Sequence, residues 1–139
     1  MFRTVLIALD LDAPDVAGRL AEAARMMVSN SNSQLHVVNV VPEAGMSLVG
    51  AALGPNHFSS IMEAARQAAS DWMKTTLPDG AQLHVEQGTI YDAILKTADA
   101  VGAEAIVVGA HRPQLRDYLV GPNAARVVRH AKQSVFVIR

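Results

Sequence analysis

Runs of apolar residues of strand length recur at five places along the chain: Thr4 to Leu9, Leu35 to Val41, Gln82 to Val85, Ala105 to Val108 and Ser134 to Ile138. Val and Ile dominate most of them. The first and fourth are nearly unbroken, the pattern of parallel strands buried on both faces. Helical patterns fill the intervals. From Pro14 to Val28 the apolar positions Val16, Leu20, Ala23 and Met27 recur at helix spacing, with a proline suited to the first turn after Asp12 or Ala13. From His57 to Leu77 the stripe is Ile61, Ala65, Ala68 and Trp72. A third helix opens at Thr89, with Asp92 placed for a near capping box and Ile90, Ala93, Ile94 and Ala98 on its apolar face. The last starts after Gly121-Pro122, runs to about Ala131 and is expected to bury Ala124, Val127, Val128 and Ala131.

The order is therefore β-α-β-α-β-α-β-α-β. Strict alternation of this kind implies a parallel sheet with right-handed crossovers and helices on both faces. Ligands of such sheets bind beyond the carboxyl ends of the strands, where the winding reverses. Asp10, Val40-Val41 and Gly109 stand at or beside such ends. Two longer links, Pro42 to Asn56 and Ala110 to Val120, leave the same edge, and loops of that length in a compact domain are commonly functional. Gly50-x-x-x-Gly54 falls in the first of them. No internal repeat, low-complexity run or second domain is visible, so residues 1–139 are expected to form one domain.

With 139 residues, half of them hydrophobic, the chain is long and apolar enough to enclose a core. It contains no cysteine, which removes disulfides, thiolate metal sites and cysteine nucleophiles. The first apolar run is too short for a signal peptide, and none approaches membrane-spanning length, so the expectation is a soluble, cytoplasmic protein. The net charge of −1 hides an asymmetry: the balance is −6 up to Glu104 and +5 from Ala105 to Arg139. A basic segment on an acidic body either handles an anion or forms a solvated helix face.

The segment from Gly109 to Ala124 is the most informative. Gly109 ends a buried strand, where a missing side chain would let a ligand approach the backbone. Gly121 precedes a helix whose first turn offers unpaired N–H groups and the positive end of the dipole. Arg112 and Arg116 lie between them, where a guanidinium can reach a polyphosphate. The alternative is that both glycines are ordinary turn residues.

Over essentially its whole length the chain resembles the universal stress protein family. The likeness rests on Arg3-Thr4-Val5-Leu6-Ile7-Ala8-Leu9-Asp10, on Gln87 to Leu95, and above all on Gly109-Ala110-His111-Arg112-Pro113, Tyr118 to Ala125 and Val127-Val128-Arg129-His130-Ala131. The last stretches are similar to the small enterobacterial branch called the F and G types. ATP-binding members of the family carry Gly-x-x-Gly, nine residues, then Gly followed by Ser or Thr. Gly109 matches the first glycine and Gly121 the third. Arg112 stands for the second, the spacing is one residue shorter, and Pro122 replaces the hydroxyl residue. Pro122 also lacks an N–H, while those of Asn123 and Ala124 remain. The resemblance implies a nucleotide site with a weakened hold on the last phosphate. It also makes Asp10 the acidic residue that meets the adenosine portion, Val40 the residue whose backbone meets adenine, and Ala8 the replacement for a common proline beside Leu9. His111 and Arg112 would lie beside the phosphates. Read without the family, Asp10 is as well explained by a cap at the start of the first helix.

The five histidines, His36, His57, His84, His111 and His130, form no close metal-ligand pair in sequence. There is no Gly-x-Ser-x-Gly elbow, no recognisable triad and no Walker lysine motif, so efficient hydrolysis has no visible machinery. Six aromatics, a near-neutral charge and no reading motif give nucleic-acid binding little support. The methionines and Trp72, at helical spacing, read as core.

The expected fold is an open, doubly wound five-stranded parallel sheet of the Rossmann-like nucleotide-binding kind, with strand order 3-2-1-4-5. The function that the resemblance implies is an adenine-nucleotide sensor or switch, holding ATP, ADP or AMP with magnesium. The resemblance also implies a homodimer, which the apolar edge at Ser134 to Ile138 suits as the paired strand, acting on a protein partner the sequence does not name. The rival readings are an interaction protein of the same fold that has lost the nucleotide, and a slow ATPase.

Overall fold

The computed structural model describes residues 1–28, 32–42, 55–110 and 121–139. Among these, five strands alternate with four helices. The strands are β1 (Thr4–Leu9), β2 (Gln34–Pro42), β3 (Gln82–Gly88), β4 (Ala105–Gly109) and β5 (Ser134–Ile138). The helices are α1 (Pro14–Met27), α2 (Pro55–Thr76), α3 (Ile90–Val101) and α4 (Pro122–His130). The two long links, 43–54 and 111–120, fall outside the described residues and take with them Gly50, Gly54, His111, Arg112 and Arg116.

The strands form one parallel sheet in the order β3-β2-β1-β4-β5. The chain winds outward from β1 through β2 to β3, returns to the other side of β1, and continues through β4 to β5. The reversal lies between β1 and β4. β1 is central, and Val5, Leu6 and Ile7 have no exposed surface, which is why this segment could be nearly all apolar.

Alternation along the strands builds a core on each face. Val5, Ile7, Leu35, Val37 and Val107 pack against Val16 and Leu20 of α1 and Ala69 and Met73 of α2. Leu6, Val38, Ile106 and Val108 pack against Ile94 and Ala98 of α3 and Ala124 and Val127 of α4. Each fully buried Val or Leu contributes about 1.5–3 kcal/mol relative to exposure, so these two layers hold the sheet between its helices.

The helices differ from expectation in their faces. On α2 the spacing from Ala65 admits either Ala68 or Ala69. The buried residue is Ala69, followed one turn on by Met73, while Ala68 is exposed. On α4, Val127 is fully buried but Val128 is 50% exposed, since one step rotates a side chain by about 100° on a helix of 3.6 residues per turn. The capping box expected at Thr89 does not form. Thr89 is the cap residue but makes no side-chain bond there, and Asp92 pairs instead with Lys96 at 2.9 Å. α3 ends on Gly102 at φ 68°, a left-handed conformation suited to glycine. β3 extends past Val85 to Gly88 because β2 pairs with it as far as Pro42. Its last residues are polar because the strand is an edge.

Candidate functional site

Beyond the carboxyl ends of β1, β2 and β4 lies a cleft of about 610 Å³. It sits at the reversal of winding, and its size is ordinary for a small-molecule site. One wall is the turn from β1 into α1. Asp10 is exposed there, and its Oδ1 accepts the Asp12 N–H at 3.0 Å while its carbonyl accepts the Ala13 N–H at 3.3 Å. This carboxylate therefore shapes the turn, as a cap at the helix start would. The helix cap itself is Ala13, with Pro14 beginning α1. The second carboxylate oxygen of Asp10 makes no hydrogen bond among the described residues.

A second wall is the end of β2, where Asn39 and Val40 reach the cleft from opposite faces of the strand. Opposite stands the start of α4. Gly121 is its cap residue, without a side-chain capping bond, and Pro122 occupies the first turn. The N–H groups of Asn123 and Ala124 have no acceptor within the helix, and both residues line the cleft. The helix dipole adds partial positive charge at this end.

Of the residues singled out in the sequence, the structure brings Ala8, Leu9, Asp10, Val40, Gly109, Gly121 and Asn123 to this cleft. Leu9 turns its side chain into the α1 core and is 5% exposed, so the cleft meets it from the strand end. Pro122 is exposed and does not line the cleft. His111 and Arg112 lie outside the described residues. Sequence reasoning missed Asn39, a half-buried amide with no side-chain hydrogen bond among the described residues. A polar residue near the carboxyl end of an otherwise apolar strand was the available signal. It also missed the apolar floor supplied by Ile61 of α2 and by Ile90 and Ile94 of α3.

The reason for a glycine at position 109 differs from the one expected. A Cβ there would lie 2.6 Å from Val16 Cγ1, closer than side-chain carbons approach. The missing side chain lets α1 pack against the end of β4. The missing Cβ serves the helix, whatever the cleft holds.

The basic C-terminal segment also reads differently in three dimensions. Arg126 lays its guanidinium 5.1 Å from the centre of the Tyr91 ring, on the contact between α3 and α4. Arg129, Lys132 and Arg139 are exposed, and none of these described cations lines the cleft. The last turn of α4, with Arg129 and His130, is where cations are favoured by the dipole. Among the described residues, no group of three or more His, Asp or Glu is arranged to hold a metal ion, and no helix is long and apolar enough to cross a membrane.

Comparison with known proteins agrees with this architecture. The chain is similar to universal stress protein G of Escherichia coli O157:H7, with 25% identity over 146 aligned positions and full coverage of both chains. It is also similar to universal stress protein A homolog 1 of Coxiella burnetii, at 25% identity over 99% of this chain and 96% of the relative. Among solved structures, hypothetical protein MJ0577 superposes with a TM-score of 0.82 at 18% identity, covering 99% of this chain and 96% of that one. A universal stress protein in complex with cAMP superposes at 0.65 with 23% identity, covering 99% and 97%. At these identities the structural likeness speaks to fold. The sequence pattern of the universal stress protein family matches residues 1–139 throughout, and the chain belongs to that family.

Proposed function

We propose that this chain, as one universal stress protein domain over residues 1–139, binds an adenine nucleotide in the cleft and works as a homodimeric cytoplasmic sensor or switch. The observation that carries the reading is convergence. One cleft at the reversal of the sheet gathers a carboxylate oxygen on Asp10 without a hydrogen bond among the described residues, the strand end at Val40 and the N–H groups of Asn123 and Ala124, which have no acceptor within the helix. These suit the parts of a nucleotide in turn. A carboxylate accepts ribose hydroxyls, an open strand end can bond the edge of a base, and a helix N-terminus holds phosphate. That a relative of the same fold is complexed with cAMP supports the choice of an adenine nucleotide.

Pro122 shapes the expected preference. It removes the N–H nearest the start of α4, and no hydroxyl replaces it, so ATP, ADP and AMP should bind with similar affinity. The homodimer is drawn from β5, an edge strand with half-buried Val135, Phe136, Val137 and Ile138, whose open backbone edge is satisfied by a second copy. The same Pro122 favours the second reading, a dimeric interaction protein that has given up the nucleotide.

Calorimetric titration of nucleotide-stripped protein with ATP, ADP, AMP and cAMP, with magnesium present, separates the two. The first reading expects saturable binding, weakened roughly tenfold or more in Asp10→Ala, the usual effect of losing a hydrogen bond to a charged group. No heat with any of the four overturns it and leaves the interaction protein.

A further inference from the structure

We infer that His36 and His84 form a proton-operated latch fastening the β3 edge strand to the sheet, closed when both rings are neutral and released in acid. The two residues are 48 positions apart and come together only through the sheet. His84 is registered with Val38 and His36 with Gln82, so the histidines are diagonal neighbours on one face. His36 Nδ1 lies 2.9 Å from His84 Nε2, and the ring planes are within 24° of each other. The ring centres are 5.2 Å apart, close to the contact distance plus the two ring radii, so the nitrogens face each other end to end. A tetrahedral zinc, with bonds of about 2.0–2.1 Å, holds its ligand nitrogens further apart than 2.9 Å. The gap fits a shared hydrogen.

Burial decides where that hydrogen sits. His36 is 5% exposed, and its Nε2 has no hydrogen-bond partner among the described residues. A buried N–H without an acceptor is the more costly orphan, so Nε2 carries the lone pair and Nδ1–H donates to His84 Nε2. One added proton leaves a hydrogen on His36 Nε2, where no described residue accepts it, whichever of the two facing nitrogens then holds the shared one. A second proton sets two N–H groups and two positive charges against each other, and the bond is lost.

The surroundings do not rescue the charged pair. His84 lines a surface recess under α3 with Glu86 of its own strand and Asp92, Lys96 and Thr97 of α3. Asp92 is engaged by Lys96 at 2.9 Å, and the Thr97 hydroxyl donates to the Ala93 carbonyl at 2.8 Å. Glu86 is exposed and on the His84 side, so it supplies no acceptor to His36 Nε2. From β1 the residue registered with His36 is Leu6. Burial first, and then the charge of His84, hold His36 below its ordinary value of 6.5. The unfolded chain thus binds the proton more tightly, and the latch's stabilisation is complete above pH 6.5. It is lost as pH falls through the lower native value. The flank that loosens carries Val40 of β2 and Ile90 and Ile94 of α3 to the cleft, so acid reaches the cleft wall.

The test is amide hydrogen exchange of the whole protein at about pH 7.5 and about pH 5, corrected for intrinsic rates, with the histidine ring signals followed across the same range. The latch requires β3 amides to lose protection relative to β1 by roughly tenfold to a hundredfold in acid, the scale of one unsatisfied buried polar group. The loss should track protonation of the His36 ring, while β5 stays level. In His36→Gln, whose side chain is neutral throughout, the acid loss should disappear. Unchanged protection of β3 in the wild-type protein at about pH 5, or the same loss in His36→Gln, overturns the inference. The ring titration keeps the test decisive if the variant does not fold.

Discussion

Adding one methyl group at position 109 tests the packing account most sharply, because sequence reasoning gave that glycine a different purpose. In Gly109→Ala the new Cβ would lie 2.6 Å from Val16 Cγ1, 3.8 Å from Val16 Cβ and 4.0 Å from Leu20 Cδ1. The last two are ordinary contacts; the first is not. Val16 cannot swing clear, since a β-branched side chain in a helix has one strongly preferred rotamer and leaving it costs about 0.5–1.5 kcal/mol. The alternative is a shift of α1, which is wedged against the sheet by Val16, Leu20 and Ala24, all nearly or fully buried. Overpacking of this kind costs about 1–3 kcal/mol. Val16→Ala alone removes two buried methyl groups and should cost about 2 kcal/mol. In the double variant the remaining approach is the 3.8 Å one, and the added methyl partly refills the space. The double variant should therefore be more stable than the sum of the singles by about 1–2 kcal/mol, a coupling typical of residues in contact. Urea unfolding of the four proteins followed by circular dichroism measures it. If Gly109→Ala lies within about 0.5 kcal/mol of wild type, or the two changes simply add, the packing argument fails. Loss of nucleotide affinity without loss of stability would then return the glycine to the ligand.

Val127→Ala should destabilise by about 2 kcal/mol while the neighbouring Val128→Ala stays within about 0.5 kcal/mol, read by the same unfolding curves. Gly102→Ala places a Cβ in a left-handed residue with open space around it, so its cost, about 1 kcal/mol, is conformational and should not change ligand binding. Wild-type stability should fall as pH drops below 6.5, the ordinary value from which His36 is lowered, and His36→Gln should remove that part of the slope in acid titrations followed by fluorescence or circular dichroism.

Much of the fold was readable because its signals are local. A central parallel strand buried on both faces has to be apolar throughout, and Val5-Leu6-Ile7 is. Helix boundaries followed from Pro14 and Pro122, whose fixed backbone geometry suits a first turn. What local pattern does not carry is the choice between neighbours one helical step apart. Ala68 and Ala69 both fit the spacing from Ala65, and only the approach of α2 to the sheet selects Ala69. Val127 and Val128 pose the same problem on α4. The end of β3 was hidden because an edge strand tolerates polar residues such as Glu86 and Gln87 that an inner strand would exclude.

The cleft was legible where it lies at strand ends, which the order of elements places on one edge. It was not legible where its walls come from distant parts of the chain, as with Ile61 and Ile94. Gly109 was picked out as a strand end, and a glycine there accommodates a packed helix as readily as a ligand. The contact of His36 with His84 needed the register of β2 against β3, which no spacing in the sequence encodes.

The central claim, an adenine nucleotide in the cleft at the reversal of the sheet, is tested most directly by mapping amide chemical-shift changes during titration of the labelled, nucleotide-stripped protein with ATP and magnesium. The account expects saturable shifts concentrated at Asp10, Val40 and Val41, Gly121, Asn123 and Ala124, with the outer edge of β3 unaffected. No shifts at high ATP, or shifts confined to residues away from these strand ends, would contradict it.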